Sequence, residues 1–192
     1  MTDFLIDGPQ DSPHTLVLAH GAGGGMRTPF MAAIAHEVSA AGIRVIRFEF
    51  DYMAAGKRRP EPAKTLLEKW RAVAKELGGA SRLIIGGKSL GGRMASMVAD
   101  ELSARALICL GYPFHPPGQP EKLRTAHLQA LATRTLIVQG TRDAFGSRDE
   151  VQSYDLCRRI HIEWIEGGDH SFRNREHIAK TAATVVRFIT SG

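Results

Sequence analysis

Cysteine is nearly absent from this chain, which has two, Cys109 and Cys157. Cys109 lies inside an apolar run and Cys157 in a stretch that reads as helical. Neither contributes to a disulfide framework or a cysteine-built metal site, and so sparse a usage fits an intracellular, cytoplasmic, reducing compartment. Long hydrophobic runs are missing too. No stretch approaches the roughly 20 apolar residues of a membrane span, and Met1-Thr2-Asp3-Phe4-Leu5-Ile6-Asp7 has neither the basic flank nor the apolar length of a signal peptide. The formal net charge of +5 comes without a nucleic-acid signature. The basic residues are scattered, the densest group, Lys57-Arg58-Arg59, falls in a proline-bearing loop, and no basic helix interleaved with aromatics, zinc finger or RNA-recognition motif occurs. Internal repeats, low-complexity tails and linkers are also lacking, so residues 1–192 are expected to form one domain.

What is present is an ordinary globular composition, 43% hydrophobic and 23% charged, arranged as alternating strands and helices. Short apolar strands are read at Thr15-Leu16-Val17-Leu18-Ala19, Arg44-Val45-Ile46-Arg47-Phe48, Arg82-Leu83-Ile84-Ile85-Gly86, Ala106-Leu107-Ile108-Cys109-Leu110, Thr135-Leu136-Ile137-Val138-Gln139 and His161-Ile162-Glu163-Trp164-Ile165, with an edge strand at Phe4-Leu5-Ile6. Helical spacing of apolar residues covers residues 29–41, 63–77 (closed by Gly78-Gly79), 91–99 and 175–190, with shorter helices expected over 123–131 and 150–157. Non-alternating apolar strands separated by helices predict an α/β fold, a mostly parallel sheet of about six to seven strands covered by helices on both faces. Sites in such sheets form at the carboxyl ends of the strands.

The stretch that carries chemistry is Gly87-Lys88-Ser89-Leu90-Gly91, a G-x-S-x-G between a strand and a helix. This is the sequence pattern of a nucleophile elbow, in which a strained turn projects the serine from the sheet edge. A serine hydroxyl needs an adjacent base, and the imidazole that serves as base needs a carboxylate to fix its tautomer. In this architecture the order is serine, acid, histidine; the chain supplies Ser89, then Asp143 after a strand, then His170 after the next. Asp169, Asp149 and Glu166 are weaker acids for the role. His36 and His177 fall on helices, His14, His127 and His161 carry no motif, and His115 precedes the acid, although it could line the pocket. The loop His20-Gly21-Ala22-Gly23-Gly24-Gly25 has the H-G-x-x-G style of an oxyanion loop. The N–H groups of Ala22 and Leu90 are the expected oxyanion donors, with Gly21 and Gly23 letting the backbone approach a substrate and His20 holding the loop. Lys88 reads as the most exposed residue of the turn and has no role. Gly87-Lys88-Ser89 is not the end of a phosphate-binding loop, because Arg82 stands where that pattern needs glycine. Gly21-Ala22-Gly23-Gly24-Gly25-Met26 lacks the last glycine of a dinucleotide fingerprint. No cofactor and no metal is expected.

With these parts in place the chain resembles the α/β-hydrolase superfamily over nearly its whole length. It is similar to the small lidless branch related to dienelactone hydrolases, with Ser89 where that group has cysteine. A closer resemblance is to the hydrolase-like domain of testis-expressed proteins and of a regulatory subunit of a histone-acetyltransferase complex. The segments that carry it are Gly86-Gly87-Lys88-Ser89-Leu90-Gly91-Gly92-Arg93, Gly111-Tyr112-Pro113-Phe114-His115-Pro116-Pro117-Gly118, Gln139-Gly140-Thr141-Arg142-Asp143 and Gly168-Asp169-His170. The resemblance implies a serine hydrolase of carboxylic esters or thioesters, with a small acyl substrate and neither nucleic acid nor membrane as partner. Its counterpart is a catalytically silent protein-interaction module on the same fold, since fold alone does not confer activity. No cap is inserted after the strand at 106–110, so the resemblance also implies an open site walled by Tyr112 and Phe114, joined by Met26, Phe30 and Phe145.

Overall fold

A computed structural model describes residues 2–191. Seven strands form one sheet: β1 (Phe4–Asp7), β2 (Thr15–Ala19), β3 (Arg44–Phe48), β4 (Leu83–Lys88), β5 (Ala106–Leu110), β6 (Thr135–Gly140) and β7 (Ile160–Ile165), in the order β1-β3-β2-β4-β5-β6-β7. Only β1 is antiparallel, pairing with β3 at one edge; every other pairing is parallel. The helices are α1 (Pro29–Ala40), α2 (Asp51–Ala54), α3 (Ala63–Glu76), α4 (Leu90–Ser96), α5 (Arg148–Val151) and α6 (Arg175–Thr190).

The uninterrupted apolar strands are explained by burial on both faces. Leu16, Leu18, Ile84, Ile108, Leu136 and Val138 point into a layer with Met31, Ile34 and Val38 of α1 and Val185 and Ile189 of α6. Their neighbours Val17, Ile85, Leu107, Cys109 and Ile137 point the other way, against Leu66, Trp70 and Val73 of α3 and Met94 and Ala95 of α4. Side chains alternate faces along a strand, so a run apolar at every position needs a helical layer on each side. Trp70, fully buried, stacks edge-on with Phe48 at a centroid distance of 4.8 Å.

Glycines let the central elements approach closely. A Cβ at Gly92 would lie 2.6 Å from the Gly87 carbonyl oxygen, and one at Gly91 would lie 2.6 Å from that of His20. Helix α4 thus packs directly against the ends of β2 and β4, and no larger residue fits at these two positions. The expected strand positions and the long helices are observed, with boundaries moved by a residue or two. The helix read over 150–157 is only α5, because a capping box from Ser147 and Glu150 starts it and the chain then turns, with the Cys157 N–H donating to the Leu128 carbonyl. Residues 123–131 hold a 3-10 turn, Ala126–Gln129, in place of a helix. Helix α4 stops at Ser96, earlier than expected, and the short helix α2 has no counterpart among the expected elements; Tyr52, buried there, anchors it. No cap domain is inserted among the described residues, and none of their helices is long and apolar enough to cross a membrane.

Candidate active site

Ser89 stands between β4 and α4 with φ 49° and ψ −112°. A non-glycine residue there costs about 1–3 kcal/mol and persists only where its surroundings impose it. Here the turn is held by the Ser89 N–H donating to the Leu110 carbonyl at 3.1 Å. His170 follows β7, and its Nε2 lies 2.8 Å from Ser89 Oγ. Its Nδ1 lies 2.8 Å from Asp143 Oδ2, just after β6. A carboxylate only accepts, so Nδ1 carries the ring proton and the Nε2 lone pair faces the serine hydroxyl.

Asp143 is itself held in place. Its Oδ1 accepts the Phe145 N–H at 2.8 Å and its Oδ2 accepts Gln139 Nε2 at 3.0 Å. The Gln139 amide is fixed in turn, accepting the Tyr112 N–H at Oε1 (2.7 Å) and donating to the Tyr112 and Gly146 carbonyls. The Phe145 ring stacks on the His170 imidazole at 4.0 Å between centroids. Burial pushes the His170 pKa below its ordinary value, and the nearby Lys88 ammonium pushes the same way, against the Asp143 hydrogen bond. The imidazole is therefore neutral, the form able to take a proton, at pH 7.

The loop after β2 is pinned from several sides. His20 accepts the Phe50 N–H at Nε2 (3.1 Å), which leaves Nδ1–H to donate to the Gly21 carbonyl at 2.7 Å. The Tyr52 hydroxyl donates to the Ala22 carbonyl at 3.2 Å, and Glu49 accepts the Met26 N–H at 3.0 Å. Leu90 opens α4, where backbone N–H groups have no intrahelical acceptor. Gly21, Ala22 and Gly23 face Ser89 and His170 across a cleft of about 630 Å³.

A family model described as an alpha/beta hydrolase domain matches residues 12–191. The chain belongs to the α/β-hydrolase family. Among solved structures it is similar to an α/β serine hydrolase homologue from Coxiella burnetii, at 19% identity over 98% of this chain and 91% of that one, with a TM-score of 0.79. It is also similar to a lidless α/β serine hydrolase from Xanthomonas campestris (19% identity, 99% and 87% covered, TM-score 0.70). A monoacylglycerol lipase from Paleococcus ferrophilus matches at 13% identity, with 100% and 99% covered and a TM-score of 0.78.

In this α/β hydrolase the cleft walls differ from expectation. Tyr112 and Phe114 do not line it. Both are fully buried in the layer under α3 and α4, where the Tyr112 hydroxyl donates to the Arg124 carbonyl at 2.9 Å. Gly111, at φ 67°, turns the chain inward after β5, and Gln139 grips the Tyr112 backbone there. Met26 is likewise buried away from the cleft, whereas Phe30 and Phe145 line it, together with Met31, Phe172 and Ile178. His115 is buried, with Nδ1 at the Pro116 carbonyl, and has no place on the cleft wall. Asp169 caps the turn after itself through the Ser171 and Phe172 N–H groups, and Glu166 pairs with Arg148.

A second serine–histidine contact exists, His127 Nε2 to Ser96 Oγ at 2.8 Å. Ser96 ends helix α4 in ordinary helical backbone, its hydroxyl also bonds the Arg93 carbonyl, and no carboxylate is hydrogen-bonded to His127 among the described residues. That contact lacks an elbow and, among the described residues, an acid.

Two residues escaped the sequence reading. Gln139 stands in the sequence only as the first residue of the segment that ends at Asp143, with no role of its own. Lys88, expected to be exposed, has its Nζ buried without a hydrogen-bond partner among the described residues, over the rings of Phe30 (5.8 Å) and Phe172 (5.5 Å). Burial brings its pKa down to about 8. The missed signal was the period of β4: Ile84 faces the α1 and α6 layer, so Lys88, four residues on, emerges on that same face.

Burial also lowers the pKa values of His20 and His127. In the unfolded chain these two and His170 take up protons near pH 6.5, so below that pH the unfolded state binds more protons and stability falls. Thermal unfolding is expected at a lower temperature at pH 5.5 than at pH 7.5. A midpoint at pH 5.5 equal to or above that at pH 7.5 would show that these rings do not stay neutral in the folded protein.

Proposed function

We propose that this protein is a serine hydrolase acting on carboxylic esters or thioesters through an acyl-enzyme on Ser89. The observation that carries this reading is the continuous chain of hydrogen bonds from Asp143 through His170 to Ser89, opening on an apolar cleft. Ser89 Oγ attacks the acyl carbon while His170 Nε2 takes its proton. The carbon–oxygen or carbon–sulfur bond then breaks, and His170 returns the proton to the departing alcohol or thiol. Water, deprotonated by the same ring, releases the acid and restores the hydroxyl. The Leu90 and Ala22 N–H groups receive the oxyanion, each such donor being worth about 2.7–4 kcal/mol in this kind of chemistry.

The likeness to an esterase domain from Rhodothermus marinus and to a monoacylglycerol lipase from Paleococcus ferrophilus supports ester chemistry. The lidless resemblance agrees with a cleft bounded by side chains of the core fold. An interaction module on the same fold would have no use for the Ser89 proton relay. Mixing the protein with p-nitrophenyl acetate should give a rapid burst of about one nitrophenolate per chain, then slower turnover, and an acetyl group on Ser89 by mass spectrometry. Ser89→Ala should abolish both. Absence of burst and turnover in the wild-type protein, together with no acyl adduct, would favour the silent module.

A further inference from the structure

Lys88 has no task in the acyl transfer just described, yet its setting is unusual for a lysine. An ammonium withdrawn from water is normally paired or hydrogen-bonded; Lys88 Nζ is buried and has no acceptor among the described residues. The carboxylates that act on it through space, Asp143 and Asp169, are committed elsewhere. Asp143 accepts from His170, Gln139 and Phe145, and Asp169 from the Ser171 and Phe172 N–H groups. The two aromatic rings beside Nζ, Phe30 and Phe172, are both cleft-wall residues, and Lys88 lines the same wall. The described lining includes the cations Lys88 and Arg173 and neither aspartate nor glutamate. Gly111 keeps the space open: a Cβ there would lie 2.9 Å from Nζ.

We propose that Lys88 recognises an anion, and that the cleft selects substrates whose acyl part ends in a free carboxylate, that is, half-esters or half-thioesters of short dicarboxylic acids. This rests on the hydrolase reading above. The apolar walls take the methylene chain and the unpaired ammonium takes its terminal carboxylate, leaving the ester carbonyl at Ser89. A carboxylate suits a single point charge on a flexible stem, whereas a phosphate dianion calls for several converging donors. Phe30, half-buried on the first turn of α1, is the ring beside which the four-carbon stem swings to meet the ligand.

The test compares monophenyl esters of succinate, glutarate and adipate with phenyl butyrate, pentanoate and hexanoate, pairing equal chain lengths and subtracting spontaneous hydrolysis. In the wild-type protein the best pair should favour the half-ester at least tenfold in kcat/KM. Lys88→Met, or Lys88→Gln if Met compromises folding, should cut that ratio at least tenfold, and Lys88→Arg should retain part of it. A wild-type ratio at or below one, or a ratio unmoved by Lys88→Met and Lys88→Gln, overturns the proposal. Calorimetric titration of Ser89→Ala with the same esters separates this from the reading it rests on. Should wild type hydrolyse neither ester, the hydrolase reading fails. Tighter binding of the half-ester by Ser89→Ala, lost in Ser89→Ala/Lys88→Met, would still establish the anion site, and equal affinity for both esters would refute it.

Discussion

His170→Ala is expected to lower kcat/KM for an activated ester by about 10³–10⁶-fold while leaving the fold intact. The magnitude follows from what the ring does twice. It removes the proton from Ser89 as the new bond forms and returns it as the old one breaks, and among the described residues no other side chain is hydrogen-bonded to Ser89 Oγ. The side chain is partly exposed at the cleft, so its truncation opens no core cavity. His177→Ala on α6 and His127→Ala at the Ser96 contact serve as comparisons. A fall after His170→Ala no greater than after either of these would move the base elsewhere. Because burial and Lys88 hold the His170 pKa below its ordinary value, the neutral base persists under mildly acidic conditions. The acid limb of the kcat/KM profile is therefore expected below pH 6.5.

Asp143→Asn should cost about 10⁴-fold in kcat, through the tautomer and not through lost charge alone. The Phe145 N–H requires an acceptor at the Oδ1 position, so the new amide NH₂ is forced to the Oδ2 side. There it meets two donors, His170 Nδ1–H and Gln139 Nε2–H. The imidazole relieves the clash by moving its proton to Nε2, where it can no longer accept from Ser89. Gln139 Nε2 keeps the Tyr112 and Gly146 carbonyls as acceptors for its two hydrogens and loses only its bond to the carboxylate, worth about 1.5–3 kcal/mol. For a chain of this size that lowers the unfolding midpoint by roughly 2–4 °C per kcal/mol. A kcat loss under tenfold would mean that Asp143 does not set the tautomer.

Much of this was legible in the residues because each signal was local. Apolar runs of five residues marked buried parallel strands, Gly78-Gly79 marked the end of α3, and both glycines have the positive φ that such an ending uses. The elbow was readable because its glycines and serine sit within five positions, and Asp143 and His170 because the fold orders them after Ser89. The misreadings concern residues whose surroundings are distant in sequence. Tyr112 and Phe114 looked like cleft walls because they follow a strand end, but the path after Gly111 is set by Gln139, 27 residues from Tyr112. Lys88 looked exposed because lysine is seldom buried, and only the packing of Phe30 and Phe172, from α1 and the turn after His170, encloses it. Residues 150–157 had helical spacing, yet the capping box began a helix that the contact between Cys157 and Leu128 ended early.

The strained backbone at Ser89, φ 49° with ψ −112°, is the conformation a nucleophile elbow imposes. Its nucleophilic role is most directly tested by treating the purified protein with a fluorophosphonate probe and mapping the adduct by peptide mass spectrometry. Stoichiometric labelling at Ser89, absent from Ser89→Ala and strongly slowed in His170→Ala, is the predicted result. A wild-type protein that stays unlabelled, or that is labelled at Ser96 instead, would contradict the account.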